Sequence, residues 1–349
     1  MKKNIIGLMS GTSCDGLDLV YCQFQSTDTG YTYKMLVNEF VPYEQQLANK
    51  LKAAIGMTSA ELIAFHHTFG DFLGEQVRLF ITKFQLDSID WVASHGHTVL
   101  HRPDEGYTFQ IGRGENIVKA CGLPVICDFR VQDVVLGGQG APLVPVGDHF
   151  LFSEYDACVN LGGFANISLM KEGKRIAFDI SPFNILLNPL AEQLGFPFDA
   201  GGDIARKGEL NDQLLDKLND FNYYERGAPK SLAFEDVQTF FNPILTEFDI
   251  PIQDSLKTLL IHYVKQLICA LPPQGKVLLT GGGAKNNYFV KLLKEAYKGE
   301  IILPSTEIID FKESIVFAFL GYLRSENEVN VFSSVTGASK DHSAGCIFN

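Results

Sequence analysis

The chain has 349 residues and a mass of 38.7 kDa, more than one typical domain holds and enough for two. Hydrophobic residues make up 46% and charged residues 20%, which excludes wholesale disorder. Lys and Arg number 29 against 41 Asp and Glu, a net charge of −12. That balance repels nucleic acid and anionic membrane at long range, yet leaves open a phosphate site built from backbone N–H groups.

The longest apolar run near the C-terminus, 315–323, is far short of the ~20 residues a membrane span requires. Lys2 and Lys3 precede a few apolar residues, but Asp15 and Asp18 arrive too early for a signal-peptide core. Seven cysteines are scattered, odd in number and without C-x-x-C, which fits reduced thiols better than a disulfide framework or zinc knuckle. The expectation is a cytoplasmic protein with no nucleic-acid or membrane partner; a homodimer is compatible with it.

Residues 4–9 and 17–25 read as strands around a Gly/Ser/Thr/Asp loop. Residues 31–41 follow as a third after the turn at Thr29-Gly30, making an antiparallel meander. Thr58 and Glu61 form a capping box ahead of a long helix, with Leu62, Phe65, Phe69, Leu73, Val77 and Phe80 on its inner face. Short apolar strands at 91–94, 108–111 and 124–127 alternate with a helix near 114–121. A second meander starts at Asp156, with strands at 157–160, 166–170 and 175–180. Helices are predicted at 184–194, 210–219 and 252–271. Residues 276–280 then form a strand that runs into Gly281-Gly282-Gly283, with a helix from about Asn286.

The pattern of strand, Gly-rich loop, strand, turn, strand therefore occurs twice. It predicts an α/β chain of two related domains, 1–135 (to which the tail 326–349 returns) and 136–325, with the ligand in a cleft between them. The linker is expected in Gly137-Gly138-Gln139-Gly140-Ala141-Pro142.

Five constellations carry chemistry. Gly11-Thr12-Ser13-Cys14-Asp15-Gly16, between two strands, offers backbone N–H groups and hydroxyls to an anion. Its Asp15 can hold Mg²⁺ directly or through water. It lacks the Gly-Lys-Ser/Thr ending of a P-loop. Gly162 and Gly163 sit at the equivalent place in the second meander, as a second phosphate-facing hairpin. Gly281, Gly282 and Gly283, between strand and helix, leave room for a flat ring and read as the wall of an adenosine site; a close helix–strand crossing competes with that reading.

Ser94-His95-Gly96-His97 on a strand would set both imidazoles on one face, a metal-ligand spacing that motivates a rival reading as a metal-dependent hydrolase. No other histidine completes a metal shell, and His95 and Arg130 read more naturally as donors to a polar substrate, Arg130 able to fork onto a carboxylate or phosphate. Asp179, closing the third strand of the second meander, suits a general base; a solvated strand-end carboxylate is the plain alternative.

With these residues in view, the chain resembles the anhydro-N-acetylmuramic acid kinase family nearly end to end. The segments that carry the resemblance are MSGTSCDGLD, SHGHTVLH, DFRVQDVVLGGQGAPLVP, NLGGFANIS, FDAGGDIARKG, LTGGGAKN and the late VTGA. The resemblance implies an actin/hexokinase/Hsp70-type fold. It implies ATP- and Mg²⁺-dependent conversion of 1,6-anhydro-N-acetylmuramic acid to N-acetylmuramic acid 6-phosphate in cell-wall recycling. By the same carry-over Asp179 is the catalytic carboxylate, and Gly11, Thr12, Ser13 and Asp15 hold phosphate and Mg²⁺. His95, Arg130 and Glu313 contact sugar or catalytic water, and Gly281 to Gly283 border the nucleotide.

Where the family reads Asp-x-Gly-Pro-Gly-Asn, this chain has Asp179-Ile180-Ser181-Pro182-Phe183-Asn184. A side chain at a position that needs positive φ costs ~1 kcal/mol or more, and Phe183 is expected to set a bulky ring beside the acid. That departure motivates an alternative reading, a nucleotide- and sugar-binding relative with weak or no kinase activity. The family's Lys-Ser-x-Gly-Arg-Glu stands here as Lys230-Ser231-Leu232-Ala233-Phe234-Glu235.

Overall fold

The computed structural model describes residues 2–349. Two compact units divide the chain. The first comprises the residues up to Leu151 together with Phe311–Asn349; the second is Phe152–Asp310.

The first unit carries β1 (Lys2–Ser10), β2 (Gly16–Thr27), β3 (Gly30–Pro42), β4 (Trp91–Arg102), β5 (Tyr107–Ile111), β6 (Val125–Cys127) and β12 (Cys346–Phe348). Its sheet runs β12-β6-β4-β1-β2-β3, with β5 paired to β4. β1, β2 and β3 are the expected antiparallel meander; β4 lies parallel to β1, and β6 parallel to β4. The second unit holds β7 (Ala157–Leu161), β8 (Phe164–Lys171), β9 (Lys174–Pro182), β10 (Lys276–Thr280) and β11 (Glu300–Ile302), in the order β11-β10-β7-β8-β9. β7, β8 and β9 are again an antiparallel meander, and β10 and β11 are parallel additions on the far side of β7.

Both sheets thus share one plan: a three-stranded meander whose first strand is central, extended by two parallel strands. That is the ribonuclease H-like arrangement of the actin/hexokinase/Hsp70 class, used twice. The order follows from chain length, because a hairpin needs only a short turn whereas a parallel partner needs a crossover long enough for a helix. The crossover from β3 to β4 contains the Ser59–Phe84 helix, whose N-terminus is the predicted Thr58/Glu61 capping box and whose predicted apolar face is buried.

The domain limits differ from those read in the sequence. The glycine-rich stretch 137–142 is not a linker. Gly140 N–H donates to the buried Asp133 Oδ2 at 2.6 Å, and a Cβ at Gly138 would lie 2.2 Å from the same oxygen. The stretch is packed over a carboxylate inside the first unit, so the break falls at Leu151/Phe152, not at 135. The second break falls at Asp310/Phe311, not at 325. From Phe311 onward the Thr306–Ser325 helix packs on β1 and β4: a Cβ at Gly7 would stand 2.8 Å from Ala318 Cβ, and one at Gly321 would stand 2.6 Å from Ala93 Cβ. Glycine at those two places lets helix and sheet approach closely.

Candidate functional site

The β1–β2 loop leaves Thr12, Ser13 and Asp15 exposed, with the Ser13 hydroxyl donating to Asp15 Oδ1 at 2.5 Å. Between them Cys14 turns inward and adopts φ 54°, a left-handed conformation that costs a non-glycine residue of order 1 kcal/mol. Three groups hold it. Cys14 N–H donates to Gly11 O, Tyr43 N–H donates to Asp15 O, and Cys14 Sγ lies 3.8 Å from His97 Nε2. His97 Nδ1 in turn meets Ser10 Oγ at 3.0 Å, and Ser10 Oγ accepts from Tyr43 at 2.6 Å. Burial pushes the His97 imidazole down to about 4, so at neutral pH it is an uncharged link in this chain. Gly16 has a packing reason to be glycine: a Cβ there would sit 2.4 Å from the Phe40 ring.

His95 and His97 do not share a face. Leu8 pairs with Ser94 but Ser10 pairs with His97, so β4 carries one extra residue at this point, and Gly96 takes φ 71°. His95 consequently faces the Thr306–Ser325 helix, its ring 4.6 Å from that of Phe317, while His97 faces Phe69 on the opposite side of the sheet. The metal-ligand spacing read from H-x-H is therefore undone by a bulge. Among the described residues no cluster of three His, Cys, Asp or Glu side chains could hold a metal ion.

His95, Arg130 and Glu313, distant in sequence, are gathered on the first unit. Arg130 Nε donates to His95 Nε2 at 3.0 Å and its NH1 donates to Gly140 O at 2.7 Å. Because guanidinium can only donate, His95 Nε2 is the acceptor, and its Nδ1–H is left to donate to Gly96 O at 3.0 Å. Burial and the neighbouring Arg130 charge hold His95 well below its ordinary range, in the neutral form this tautomer requires. Burial lowers Arg130 to about 10, with Glu313 and Asp133 opposing the shift. Burial also raises the Glu313 carboxyl, against the pull of Arg130 and Lys312. His95 also borders a cavity of about 260 Å³ whose wall includes Gln110, Arg113, Glu115 and Asp128.

On the second unit the Gly162–Gly163 hairpin caps a helix. Phe183 and Ile185 N–H groups donate to Gly163 O, and Asn184 N–H donates to Gly162 O, closing the first turn of the Asn184–Glu192 helix. Gly281 has φ 81°, and a Cβ on it would stand 2.6 Å from Asn160 Oδ1, so two departures from ordinary geometry demand glycine there. Gly283 is packed on the Phe183 ring and Gly282 is exposed.

Asp179 lies in β9. Its Oδ2 accepts the Leu232 N–H at 2.9 Å, its own N–H donates to Lys230 O, and its C=O accepts the Tyr223 hydroxyl at 2.7 Å. Burial raises the Asp179 carboxyl above the usual carboxylate range, and the Leu232 N–H opposes that rise. The ring expected beside this acid is elsewhere. Phe183 is fully buried in the unit's core, with centroids 4.8 Å from Tyr263 and 4.9 Å from Phe289. Its φ is −139° and Ser181 lies within β9, so neither position pays for a left-handed backbone. The departure at 181–184 is absorbed by the core.

The family described as anhydro-N-acetylmuramic acid kinase matches residues 3–349. The chain belongs to the anhydro-N-acetylmuramic acid kinase family. It is accordingly a kinase, a phosphotransferase with an alcohol group as acceptor. The anhydro-N-acetylmuramic acid kinase of Haemophilus influenzae is 32% identical over 377 aligned residues, covering 98% of this chain and 97% of its own. That of Aliivibrio fischeri is 32% identical over 364, covering 98% of each. Among solved structures, a ligand-bound xylulose kinase from Lactobacillus acidophilus overlaps 97% of this chain and 93% of its own at 10% identity and a TM-score of 0.46.

For this kinase family member, sequence reasoning missed the supports of Asp179. Tyr223 and the backbone of Lys230 and Leu232 gave no local signal, except that the Lys230–Glu235 segment stood out as a variant of a family motif. The Ser10–Tyr43 pair behind the first loop was also unforeseen, because both are ordinary strand and turn residues until the sheet forms.

Proposed function

We propose that this chain phosphorylates 1,6-anhydro-N-acetylmuramic acid from ATP while opening its anhydro ring with water, the conversion of cell-wall recycling, in the cytoplasm. Asp179 would take a proton from water. The water oxygen bonds to the anomeric carbon, the bond from that carbon to O6 breaks, and O6 takes the γ-phosphoryl group, leaving ADP. The proton then passes from Asp179 to solvent, so one sugar, one water and one ATP give sugar 6-phosphate, ADP and a proton.

The observation that carries the reading is the state of Asp179. A carboxyl raised by burial, yet held in place by one N–H and a paired backbone, holds a proton more readily than an ordinary aspartate and is fixed in direction, as a general base requires. The polar group His95, Arg130 and Glu313 is assigned to the sugar and the catalytic water, with the donor sense of Arg130 and the tautomer of His95 fixed by their contacts. Gly11, Thr12, Ser13, Asp15, Gly16, Gly162 and Gly163 are assigned to the phosphates, and Gly281 to Gly283 to the nucleoside side. Magnesium prefers hard oxygen donors and keeps much of its water, so the exposed Asp15 carboxylate with the Ser13 and Thr12 hydroxyls fits it; the ion would neutralise phosphate charge there.

The test is direct. Incubate the protein with Mg·ATP and the anhydro sugar and look by mass spectrometry for a product gaining one water and one phosphoryl group. Wild type should give that product and Asp179→Asn should not. Product from Asp179→Asn, or none from wild type, overturns the assignment.

A further inference from the structure

Away from the loops assigned to substrates, the second unit holds a cavity of about 340 Å³, within the size range of small-molecule sites. It lies between the end of β8, the alternate residues Ile176, Phe178 and Ile180 of β9, the segment around 224–230, and the C-terminal end of the Ile252–Ala270 helix. Its floor is apolar, with Ile176, Phe178 and Leu271. Three cations, Lys171, Arg226 and Lys230, line it, and no carboxylate does. In a chain of net charge −12 that is a local inversion of sign.

The cations are not neutralised by the protein. Neither Lys171 nor Arg226 forms an ion pair among the described residues. Lys230 donates to Tyr223 O at 3.1 Å and lies over the Tyr223 ring at 4.5 Å. Burial lowers the Lys230 ammonium and the nearby Arg226 charge lowers it further, so the two cations repel each other. Like charges held together over an apolar floor lose that repulsion when an anion enters, and the floor supplies the hydrophobic part of the affinity.

We propose that this cavity binds a small amphipathic anion, a single carboxylate, sulfonate or phosphate ester on an apolar body, and that its occupancy is felt at Asp179. The connection is covalent and short. Lys230, in the cavity wall, accepts Asp179 N–H through its carbonyl, and two residues later Leu232 N–H donates to Asp179 Oδ2. An anion that anchors Lys230 anchors this segment along β9, and so strengthens the one hydrogen bond that favours the ionised carboxylate. The coupling half of the proposal rests on the reading of Asp179 as base; the binding half does not.

The probe is 8-anilino-1-naphthalenesulfonate, an aromatic sulfonate whose fluorescence rises in apolar sites, titrated into the full-length protein. One saturable site is expected, weakened by salt, unaffected by saturating Mg·ATP, and far weaker for the uncharged N-phenyl-1-naphthylamine. The exposed pair changed together, Lys171→Glu with Arg226→Glu, should raise Kd roughly tenfold or more. Cys269→Trp, which fills the cavity without touching charge, should do the same. An unchanged Kd in both variants, or displacement of the probe by Mg·ATP, overturns the site. With probe bound, the acid limb of the turnover profile should move to lower pH; binding without that movement overturns the coupling. If Asp179→Asn keeps full turnover, the base assignment and the coupling fall together while the binding result stands on its own.

Discussion

Thr336 Oγ1 donates to Asp133 Oδ1 at 2.7 Å, tying the last short helix of the chain to a carboxylate that is completely buried. The other oxygen of Asp133 takes Gly140 N–H, and Gln139 N–H donates to Thr336 O, so the 137–142 loop and the Val335-Thr336-Gly337-Ala338 turn close over one charge. A buried carboxylate stripped of one of its donors keeps its desolvation cost with less to offset it. Thr336→Val should therefore lower stability by about 1.5–3 kcal/mol, the range for hydrogen bonds to charged groups. Urea denaturation checks it; a midpoint equal to that of wild type would show that the bond contributes nothing.

The base role proposed for Asp179 predicts the pH dependence of turnover. A base works deprotonated, and burial raises this carboxyl, so activity should fall as pH drops through a value above the ordinary aspartate range. Leu232→Pro removes the N–H that opposes the rise, and should move the acid limb of kcat/KM to higher pH. A profile with its acid limb at or below the usual aspartate value would contradict the burial of the group.

Restoring the family's glycine at 183 should harm the protein. The Phe183 ring is enclosed by Tyr263 and Phe289 and has Gly283 against its edge. Phe183→Gly leaves a cavity where a large side chain was, at a cost of about 3–5 kcal/mol or somewhat more with the backbone freedom gained. Turnover per folded molecule, measured well below the melting temperature, should be unchanged. A several-fold gain in kcat with no loss of melting temperature would mean the ring does reach the acid.

Acid should weaken the first unit through His97. Its imidazole is held at about 4 when folded and returns to about 6.5 when unfolded. Below the unfolded value the unfolded chain takes up the proton that the folded chain refuses. The stabilising contribution is therefore complete above pH ~6.5 and is lost progressively down to pH ~4, at up to ~1.4 kcal/mol per unit. His97→Gln, which keeps an amide to meet Ser10, should flatten this slope in melting temperature against pH. An unaltered slope would assign the acid sensitivity to other groups, such as the buried His262, which burial lowers to about 3.

Much of this fold was legible because its determinants are local. The capping box at Thr58, the period-two runs of both meanders and the turn glycines each act within a few residues, and the structure places those elements within a residue or two of where they were read. The pairing of strand and Gly-rich loop, twice, was enough to expose the duplication. What failed needed partners from afar. His95 and His97 were misplaced because a strand's face is decided by the register it adopts against β1, and one inserted residue reverses it. Residues 137–142 look flexible until Asp133 is buried beneath them.

The sequence alone determined the elements and their repetition, since composition and periodicity are properties of the chain itself. Only the tertiary structure decided that Phe183 points into the core, that the helix after Phe311 belongs with the first sheet, and that Asp179 is gripped by Leu232. Each of those outcomes is a contact between residues far apart in the chain, and the energy of such a contact exists only once packing has brought them together.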